Sequence, residues 1–428
     1  MTPSVLPGPR NNLCGIVHLP PSKSLTNRAL VAAAAAGGGT VVSPLDCDDT
    51  RVLARALEAA GWQIDWDGDI RVGERRIPGH WVGLDLADSG TGARLILGLL
   101  AASPGTCIID GSRRLRERPL RQLVMPLCEL GAIVRTNGGH LPVEVEGRTL
   151  DGGAVAVRPE VSSQFVSSLL MAGPLMRSGL RVTVEGQLPS APYLDLTEDV
   201  LCAFGARVEA AADRRHWRVW PGGLEPTLYP VEGDWSAAAF FAAAAAVAGG
   251  TVELGPLDCA SRQGDRAVLH ILADGGLSIH QKPGNVVRVS GPVQEPLRAD
   301  LAACPDLFPA LAVVCAAVRP GSKLSGLDHL RHKESDRLAL MADNLHRLGA
   351  RVRVDGTTFE VEKTMTRVPG APRRVSAGAD HRIAMAMAVA ALVAGPLELD
   401  EPSCVAKSFP EFWETWDVFA GGAGEGAG

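Results

Sequence analysis

The sequence predicts an α/β fold in which six copies of one unit fill the chain, with three copies in each of two lobes. An Ala-rich apolar segment, a small-residue break and an alternating strand pattern recur six times along the 428 residues. Neighbouring breaks lie 66 to 74 residues apart, which exceeds the ~20–50 residues of common solenoid repeats. Each copy is therefore a small subdomain. The glycines that mark the breaks are Gly39, Gly105, Gly179, Gly250, Gly321 and Gly395.

Each copy is predicted to contain the same elements in the same order. An alternating strand such as Thr251-Val-Glu-Leu follows the break, and a polar loop leads into a helix. The helix ends at a Gly-containing stop, as in Leu130-Gly-Ala, Phe204-Gly-Ala and Leu348-Gly-Ala. The strand from Cys14 to Leu19 precedes the first helix and is left over. We expect it to complete a sheet in the second group of copies.

This strand implies two lobes joined by two chain crossings. Residues 21–230 form the lobe with repeats 1–3, and residues 1–20 plus 231–428 form the lobe with repeats 4–6. The crossings lie near Leu19-Pro20-Pro21 and near Tyr229-Pro230. The Gly-rich tail, about residues 421–428, is expected to be disordered.

Composition excludes several functional classes. Hydrophobic residues make up 46% and charged residues 21% of the chain, the balance of a globular protein. A net charge of −6 and 4% aromatic residues argue against a nucleic-acid partner. The longest apolar run, Ala237 to Ala248, is too short to cross a bilayer, and no signal peptide is apparent. We therefore expect a cytoplasmic protein without a membrane anchor.

Cysteine and histidine usage argues against disulfides and zinc. Nine cysteines occur without a CxxC pair, which favours reduced, mostly buried thiols. The closest histidine pair, His329 and His332, has no companion ligands at a suitable spacing. The sequence predicts no metal site.

Two charged motifs indicate anion binding at helix starts. Pro21-Ser-Lys-Ser-Leu-Thr-Asn-Arg28 opens the first Ala-rich helix, where Ser22 or Ser24 can act as the cap. In Arg331 to Arg337, Lys333 and Arg337 are like charges four residues apart, which costs ~0.2–0.5 kcal/mol in an isolated helix. An anion between them is expected, and Glu334 or Asp336 could supply it. An ordinary capped helix and a plain salt-bridge cluster remain the alternatives.

Further polar clusters stand at loops or helix starts. They are Arg113 to Arg118, Asp380-His-Arg382, Lys407, Ser162-Ser-Gln164 and the Gly-rich stretch from Asp88 to Arg94. The Gly-rich stretch lacks the spacing of a nucleotide P-loop, so ATP binding is not indicated. Surface salt bridges and serine caps would explain each cluster singly. Together they indicate a small ligand with phosphate and carboxylate groups.

The motifs as a set resemble those of the 5-enolpyruvylshikimate-3-phosphate synthase family, over essentially the full chain. The matching stretches are PSKSLTNR at 21–28, SGTGAR at 89–94, ERPL at 117–120, SSQF at 162–165, SAPY at 190–193, PDLF at 305–308, KESDR at 333–337, DHRIAM at 380–385 and AKSFP at 406–410. The resemblance implies that each lobe is an inside-out α/β barrel of three βαβαββ units. It also implies an active site in the cleft between the lobes, which we expect to close on shikimate 3-phosphate.

The reaction implied by the resemblance transfers the enolpyruvyl group of phosphoenolpyruvate to the 5-hydroxyl of shikimate 3-phosphate. It proceeds by addition and elimination with release of phosphate, in the shikimate pathway to aromatic amino acids. No metal or organic cofactor is implied, and glyphosate is expected to compete with phosphoenolpyruvate. We expect a monomer whose partners are these two small substrates.

The family motifs also imply roles for individual residues. Asp306 and Glu334 are the expected proton-transfer pair, without an assignment to either half-reaction, and Lys23 lies beside the reacting centre. Expected phosphoenolpyruvate contacts are Lys23, Gly90, Arg118, Gln164, Arg337, Arg382 and Lys407. Expected shikimate 3-phosphate contacts are Lys23, Ser24, Arg28, Ser162, Ser163, Gln164, Ser190, Asp306 and Lys333.

This chain departs from the family pattern at two places, and two alternative functions remain. The family commonly reads Asn-Ala-Gly-Thr-Ala-Met-Arg-Pro where this chain has Asp88-Ser-Gly-Thr-Gly-Ala-Arg-Leu95, and His329 replaces a common asparagine. One rival is the UDP-N-acetylglucosamine enolpyruvyl transferase, which typically has Lys-Asn at Lys23-Ser24 and a cysteine in the Arg113–Arg118 loop. The other is a non-catalytic polyanion-binding repeat protein, which would not require Asp306 and Glu334.

Overall fold

The computed structural model describes residues 5–367 and 370–421. The predicted disordered tail, apart from Gly421, lies outside the described residues. The chain divides into two compact units. The first unit is Pro21–Val231, and the second joins the segment that ends at Pro20 to the segment that begins at Glu232.

Helices and strands are interspersed throughout the described residues. Among the described residues the α-helices are α1 (Lys23–Ala35), α2 (Asp48–Ala59), α3 (Gly90–Ala101), α4 (Arg113–Glu117), α5 (Arg121–Glu129), α6 (Gln164–Ala172), α7 (Pro192–Ala203), α8 (Trp235–Ala248), α9 (Ala267–Asp274), α10 (Phe308–Ala317), α11 (Arg337–Arg347), α12 (His381–Ala394) and α13 (Phe412–Gly421). Short 3-10 helices cover Gly173–Leu175, Gly264–Arg266, Pro305–Leu307, Asp328–His332 and Pro402–Lys407.

The strands are short. In the same described ranges they are β1 (Val5–Leu6), β2 (Leu13–His18), β3 (Gly39–Val42), β4 (Trp62–Asp67), β5 (Asp69–Arg75), β6 (Val82–Asp85), β7 (Gly105–Asp110), β8 (Ile133–Asn137), β9 (His140–Gly147), β10 (Gly153–Val157), β11 (Leu180–Val184), β12 (Val208–Ala210), β13 (His216–Val219), β14 (Leu228–Pro230), β15 (Gly250–Gly255), β16 (Ser278–Lys282), β17 (Val286–Gly291), β18 (Arg298–Asp300), β19 (Lys323–Ser325), β20 (Arg351–Asp355), β21 (Thr358–Lys363), β22 (Arg373–Val375) and β23 (Leu397–Leu399).

These strands form one sheet for each predicted repeat, three in each unit. Sheet β6-β7-β9-β8 is representative: β6 and β7 are parallel, and β9 is antiparallel to both β7 and β8. The other four-stranded sheets have the same pattern, in the orders β14-β3-β5-β4, β10-β11-β13-β12, β2-β15-β17-β16 and β18-β19-β21-β20. The remaining sheet, β1-β23-β22, has three strands. Parallel strands that follow one another in the chain need a crossover, and helices α3, α6, α10 and α12 supply it between β6 and β7, β10 and β11, β18 and β19, and β22 and β23.

Three sheets recruit an outer strand from a distant part of the chain, and in one of them β1 pairs in antiparallel fashion with β23. Strand β2 pairs in parallel with β15, so that Cys14 lies opposite Thr251, which confirms the prediction for the leftover strand. In the first unit, β14 pairs in parallel with β3, so that Tyr229 lies opposite Val41. The sequence analysis missed β14 because three residues are too few to show an alternating pattern.

The glycines at the six breaks all have positive φ angles, between 68° and 142°. This backbone region is open to glycine and strained for most other residues. At Gly250 the neighbouring strand adds a second reason, because a Cβ there would lie 2.6 Å from the carbonyl carbon of Asn12. The breaks are therefore fixed by backbone geometry at the point where each helix passes into its strand.

Three mutually contacting helices form the interior of each unit. They are α1, α3 and α6 in the first unit and α8, α10 and α12 in the second. Helices α8 and α10 are buried over nearly their whole length. Helices that are apolar all round belong inside a fold, and alanine lets them approach closely. No helix in the described ranges combines the length and apolar character needed to cross a bilayer.

Candidate functional site

In the first unit, Lys23 is the first residue of α1 and is paired with a carboxylate. Its Nζ lies 3.1 Å from Oδ2 of Asp49, near the start of α2, and the two side chains are 11% and 5% exposed. The sequence analysis named Ser22 or Ser24 as the cap of α1. Ser22 occupies the cap position, but its side chain makes no capping hydrogen bond in the described structure.

Arg28 lies one turn after Ser24 and is 1% exposed. It donates to the Ser24 carbonyl at 3.0 Å and to Thr197 Oγ1 at 2.9 Å. It also donates to Ser167 Oγ at 3.4 Å and to the Tyr193 carbonyl at 3.3 Å. Burial lowers the pKa of Arg28 to about 10. The guanidinium thus ties α1 to α6 and α7.

A polar network connects the starts of α3 and α6. Arg94 donates from Nη1 to Gln164 Oε1 at 2.7 Å, and Gln164 donates from Nε2 to Thr91 Oγ1 at 2.7 Å. Ser162 Oγ accepts from the same Arg94 nitrogen at 3.4 Å and from the Gln164 backbone N–H at 3.2 Å. The Gln164 side chain is therefore fixed by α3, while Ser163, at the cap position of α6, is buried.

Arg118 directly follows the short helix α4 and is 7% exposed. Its guanidinium occupies the space beside Gly90, the first residue of α3: a Cβ on Gly90 would lie 2.6 Å from Cζ of Arg118. The other arginines of this cluster make exposed ion pairs. Arg116 pairs with Asp110, and Arg114 pairs with Glu117. The surface salt-bridge interpretation holds for these two, whereas Arg118 is buried.

Ser190 lies in the loop that precedes α7. It is 6% exposed and has a φ of 56°, a backbone conformation that is strained for serine. Its carbonyl accepts from the Tyr193 N–H at 3.1 Å. Such strain often accompanies functional positions.

In the second unit, Asp306 is surrounded by three cations. It lies in the 3-10 helix before α10, and its Oδ1 is 2.7 Å from Arg337 Nη1 and 3.6 Å from Lys333 Nζ. Its Oδ2 is 2.9 Å from Nη2 of Arg382, at the start of α12. Burial by itself raises the pKa of Asp306, but the charges of Arg382, Lys333 and Arg337 outweigh burial and hold this pKa well below its usual range. Asp306 is therefore ionised at neutral pH.

Arg337 connects three carboxylates. Besides Asp306 it contacts Glu334 at 2.8 Å and Asp380 at 2.8 Å, and its own side chain is 1% exposed. Burial lowers the pKa of Arg337, yet the charges of Asp380, Glu334 and Asp306 raise it above the usual value. This arrangement holds Glu334 and Asp306, the two expected proton-transfer groups, on one guanidinium.

The helical spacing assigned to Lys333 and Arg337 is wrong. Helix α11 begins at Arg337, and Lys333 lies in the connection after the 3-10 helix Asp328–His332. An anion that contacts both bases does exist, but it is Asp306, 27 positions before Lys333. Glu334, one of the two expected partners, does contact Arg337. Asp336 instead caps α11 by accepting from the Ala339 N–H at 3.0 Å.

Two further predicted positions in this unit are buried. Lys407 ends the 3-10 helix Pro402–Lys407 and is 8% exposed. His329, the departure from the family pattern, is 5% exposed. Burial and then the charge of Lys333 lower the pKa of His329 to about 3, so its imidazole is neutral at physiological pH. A neutral His329 adds no positive charge to the cluster of Asp306 and its three cations, Lys333, Arg337 and Arg382.

The sequence analysis missed Asp49, Asp380 and the Thr91–Arg94 network as parts of the site. Asp380 and Arg94 lie within the quoted motifs, so a signal was present, but neither received a role. Asp49 stands in an acidic run, Asp46-Cys-Asp-Asp49, that gave no separate signal. Within the described residues, no group of three or more His, Cys, Asp or Glu side chains is arranged to hold a metal ion.

Comparison with known proteins agrees with this set of motifs. The family model "EPSP synthase (3-phosphoshikimate 1-carboxyvinyltransferase)" matches residues 7–416. A 3-phosphoshikimate 1-carboxyvinyltransferase of Methanospirillum hungatei is 36% identical over 418 residues, covering 94% of this chain and 95% of that protein. One of Methanoculleus marisnigri is 39% identical over 405 residues, covering 92% and 94%.

Comparison with solved structures also points to EPSP synthase. The structure of EPSP synthase from Acinetobacter baumannii has a TM-score of 0.79 with 27% identity and covers 97% of both chains. The family match over most of the chain and the identities above 30% decide the assignment. The chain therefore belongs to the EPSP synthase (3-phosphoshikimate 1-carboxyvinyltransferase) family.

Proposed function

We propose that the charged groups described above bind phosphoenolpyruvate and shikimate 3-phosphate and carry the proton transfers between them. The chain is a 3-phosphoshikimate 1-carboxyvinyltransferase of the shikimate pathway. It transfers the enolpyruvyl group to the 5-hydroxyl of shikimate 3-phosphate. The observation that carries the assignment of roles is that Asp306 and Glu334 both contact the buried Arg337, which also contacts Asp380.

The chemistry requires three proton transfers. The 5-hydroxyl oxygen forms a bond to C2 of phosphoenolpyruvate and loses its proton, while C3 gains a proton. In the second step C3 loses a proton and the bond from C2 to the phosphate oxygen breaks, releasing phosphate. Positioned acids and bases accelerate such steps by ~10²–10⁴-fold. We assign these transfers to Asp306 and Glu334, without dividing the steps between them.

Binding of the anionic groups is assigned to cations and to helix starts. Lys23 and Arg118 in the first unit, and Arg337, Arg382 and Lys407 in the second, supply positive charge for phosphoenolpyruvate, with Gly90 and the fixed amide of Gln164. We assign shikimate 3-phosphate to Lys23, Ser24, Arg28, Ser162, Ser163, Gln164, Ser190, Asp306 and Lys333. Buried cations strengthen such contacts because little water screens them.

Asp306 itself neutralises part of this charge. Its carboxylate engages Arg337, Arg382 and Lys333 directly. A substrate phosphate or carboxylate that approaches these cations therefore competes with Asp306 for them. This competition links substrate binding to the proton affinity of Asp306, since a carboxylate that loses its cations is more easily protonated.

Family membership favours this reaction over the two rivals weighed from the sequence. We further propose a cytoplasmic location, which the nine free cysteines support. The monomeric state and the independence from metals and organic cofactors stay predictions.

The decisive experiment measures phosphate release by the purified protein. Release should require both phosphoenolpyruvate and shikimate 3-phosphate and should stop when either is omitted. Replacement of shikimate 3-phosphate by UDP-N-acetylglucosamine should give no release. Phosphate release with UDP-N-acetylglucosamine, or none with any substrate pair, would contradict the proposal.

A further inference from the structure

Asp265 is a buried acid that the proposed mechanism does not use. It lies in the 3-10 helix Gly264–Arg266 of the second unit and is 2% exposed. Ser236 Oγ donates a hydrogen bond to Oδ2 of Asp265. Oδ1 of Asp265 is buried and has no hydrogen-bond partner among the described residues. Burial of an incompletely paired carboxylate is costly, so this environment favours the protonated acid.

The loop that carries Asp265 is fixed to the start of α8. Gln263 Oε1 accepts from the Trp235 N–H at 3.2 Å, and Gln263 Nε2 donates to the Gly233 carbonyl at 2.8 Å. Helix α8 contacts both the 3-10 helix of Asp265 and the 3-10 helix Pro305–Leu307, which carries Asp306. Both 3-10 helices therefore pack against α8, and the charges of Asp306 and Arg382 act on Asp265.

The charged groups that act on Asp265 come from three elements. They are Asp306 before α10, Arg382 at the start of α12 and Asp234 at the cap of α8. Burial first, and then the charge of Asp306, raises the pKa of Asp265 to about 7, while Arg382 and the Ser236 hydrogen bond oppose this rise. A group of this kind changes its charge within the physiological pH range.

We propose that Asp265 is a positioning residue for the Asp306–Arg382 ion pair: its carboxyl group, held by Ser236, sets the charge next to this pair and thereby the readiness of Asp306 to take up a proton. When Asp265 is neutral, it does not compete with Asp306 for the charge of Arg382. Ionised Asp265 attracts Arg382 as well and adds a like charge that disfavours the Asp306 carboxylate. The inference rests on the proposed role of Asp306.

This arrangement predicts how activity depends on pH. As the pH rises through about 7, a negative charge appears beside a cation assigned to phosphoenolpyruvate. The kcat/KM for phosphoenolpyruvate should then fall. Asp265→Asn stays neutral at every pH and should remove this fall. Ser236→Ala loses a hydrogen bond that stabilises the ionised form, so it should move the fall to higher pH.

The test compares kcat/KM for phosphoenolpyruvate across pH in the full-length parent, Asp265→Asn, Ser236→Ala and the control Asp274→Asn. Asp274 is an exposed acid at the end of α9. Because the substrates titrate equally in every assay, the ratio of variant to parent reports the enzyme alone. We expect this ratio to rise at least about threefold above pH 7 for Asp265→Asn and to stay constant for Asp274→Asn. A constant ratio for Asp265→Asn would overturn the proposal.

A second readout does not depend on activity. The raised pKa of Asp265 destabilises the folded parent as the pH rises from about 4, where the unfolded acid ionises, to about 7, where the folded acid ionises. The melting temperature of Asp265→Asn relative to the parent should therefore increase over this window and level off above it. A flat difference would again overturn the proposal, and Ser236→Ala serves the same purpose if Asp265→Asn does not fold.

Asp306→Asn separates this inference from the proposed role of Asp306. Removing the Asp306 charge lowers the pKa of Asp265. The pH range over which the melting temperature responds to ionisation of Asp265 should therefore narrow. A narrowed window in a variant that keeps full activity would refute the proton-transfer role of Asp306 while supporting its coupling to Asp265. An unchanged window would refute the coupling.

Discussion

The guanidinium of Arg118 lies against Gly90, where a side chain on residue 90 would place its first carbon 2.6 Å from Arg118 Cζ. Both residues are buried and belong to the first unit. Gly90 is therefore required less for backbone freedom than for the position of Arg118. Any larger residue at this point must displace a cation assigned to phosphoenolpyruvate.

Gly90→Ala should raise the KM for phosphoenolpyruvate by about tenfold, which is ~1.4 kcal/mol of binding energy. Inhibition by glyphosate, expected to compete for the same position, should weaken in parallel. Gly83→Ala is the matched control, since a Cβ at Gly83 meets no neighbouring atom within 4 Å. Steady-state kinetics with both variants checks the expectation, and an unchanged KM and inhibition constant in Gly90→Ala would place Arg118 outside the binding site.

Lys23→Met should abolish turnover while the protein stays folded. The ammonium group lies at the start of α1, where it adds to the positive end of the helix. Circular dichroism and phosphate release on the same preparation measure fold and activity together. A folded variant with turnover within about tenfold of the parent, a difference of ~1.4 kcal/mol, would contradict this role.

Asp49→Asn should lower kcat through Lys23. The substitution keeps the shape of the side chain but removes the charge that lies 3.1 Å from Nζ of Lys23. We expect a decrease of at least about tenfold. Asp48→Asn, next to it and exposed, should be neutral. Equal activity of the two variants would show that the ion pair has no part in catalysis.

Asp306→Asn and Glu334→Gln should each lower kcat by ~10²-fold or more, the usual contribution of a positioned acid or base. Both substitutions preserve the size of the side chain and remove the proton-transfer group. Asp328→Asn, an exposed residue of the preceding 3-10 helix, is the control. Near-parental kcat at saturating substrates in either variant would withdraw the assignment for that residue.

Asp306 should also contribute to acid lability. Its pKa in the folded protein is lowered, so its contribution to stability is complete above the unfolded pKa of about 3.9 and is lost as the pH falls further. Asp306→Asn leaves Arg337, Arg382 and Lys333 with less compensation and should destabilise the protein by ~3 kcal/mol at neutral pH. The difference in unfolding free energy should shrink as the pH falls below about 4. Denaturant unfolding at several pH values measures it, and a pH-independent difference would contradict the ion pairing.

Local sequence patterns determined the repeats and several helix starts, such as that of α1 at Lys23, but not the start of α11. The six glycine breaks, the Ala-rich segments and the charged motifs are read within a few residues, because turn geometry and side-chain periodicity are local properties. The predicted α/β fold class is confirmed by the sheets and by the solved relatives. The strand from Cys14 was assigned to a sheet of the second group because it was left over from the first, and it pairs with β15.

Tertiary structure alone decided which charges meet. Asp306 neutralises Lys333 and Arg337, although Asp306 is far from both in the sequence. Asp49, in the next helix, pairs with Lys23. These pairs form because loops from different parts of the chain converge at the helix starts. The spacing of residues in the sequence does not show which loops converge. Burial has the same origin: packing encloses Arg118 and leaves Arg116 on the surface, although both stand in one arginine run. Solvent exclusion, which only the packed units create, gives the enclosed charges their strength.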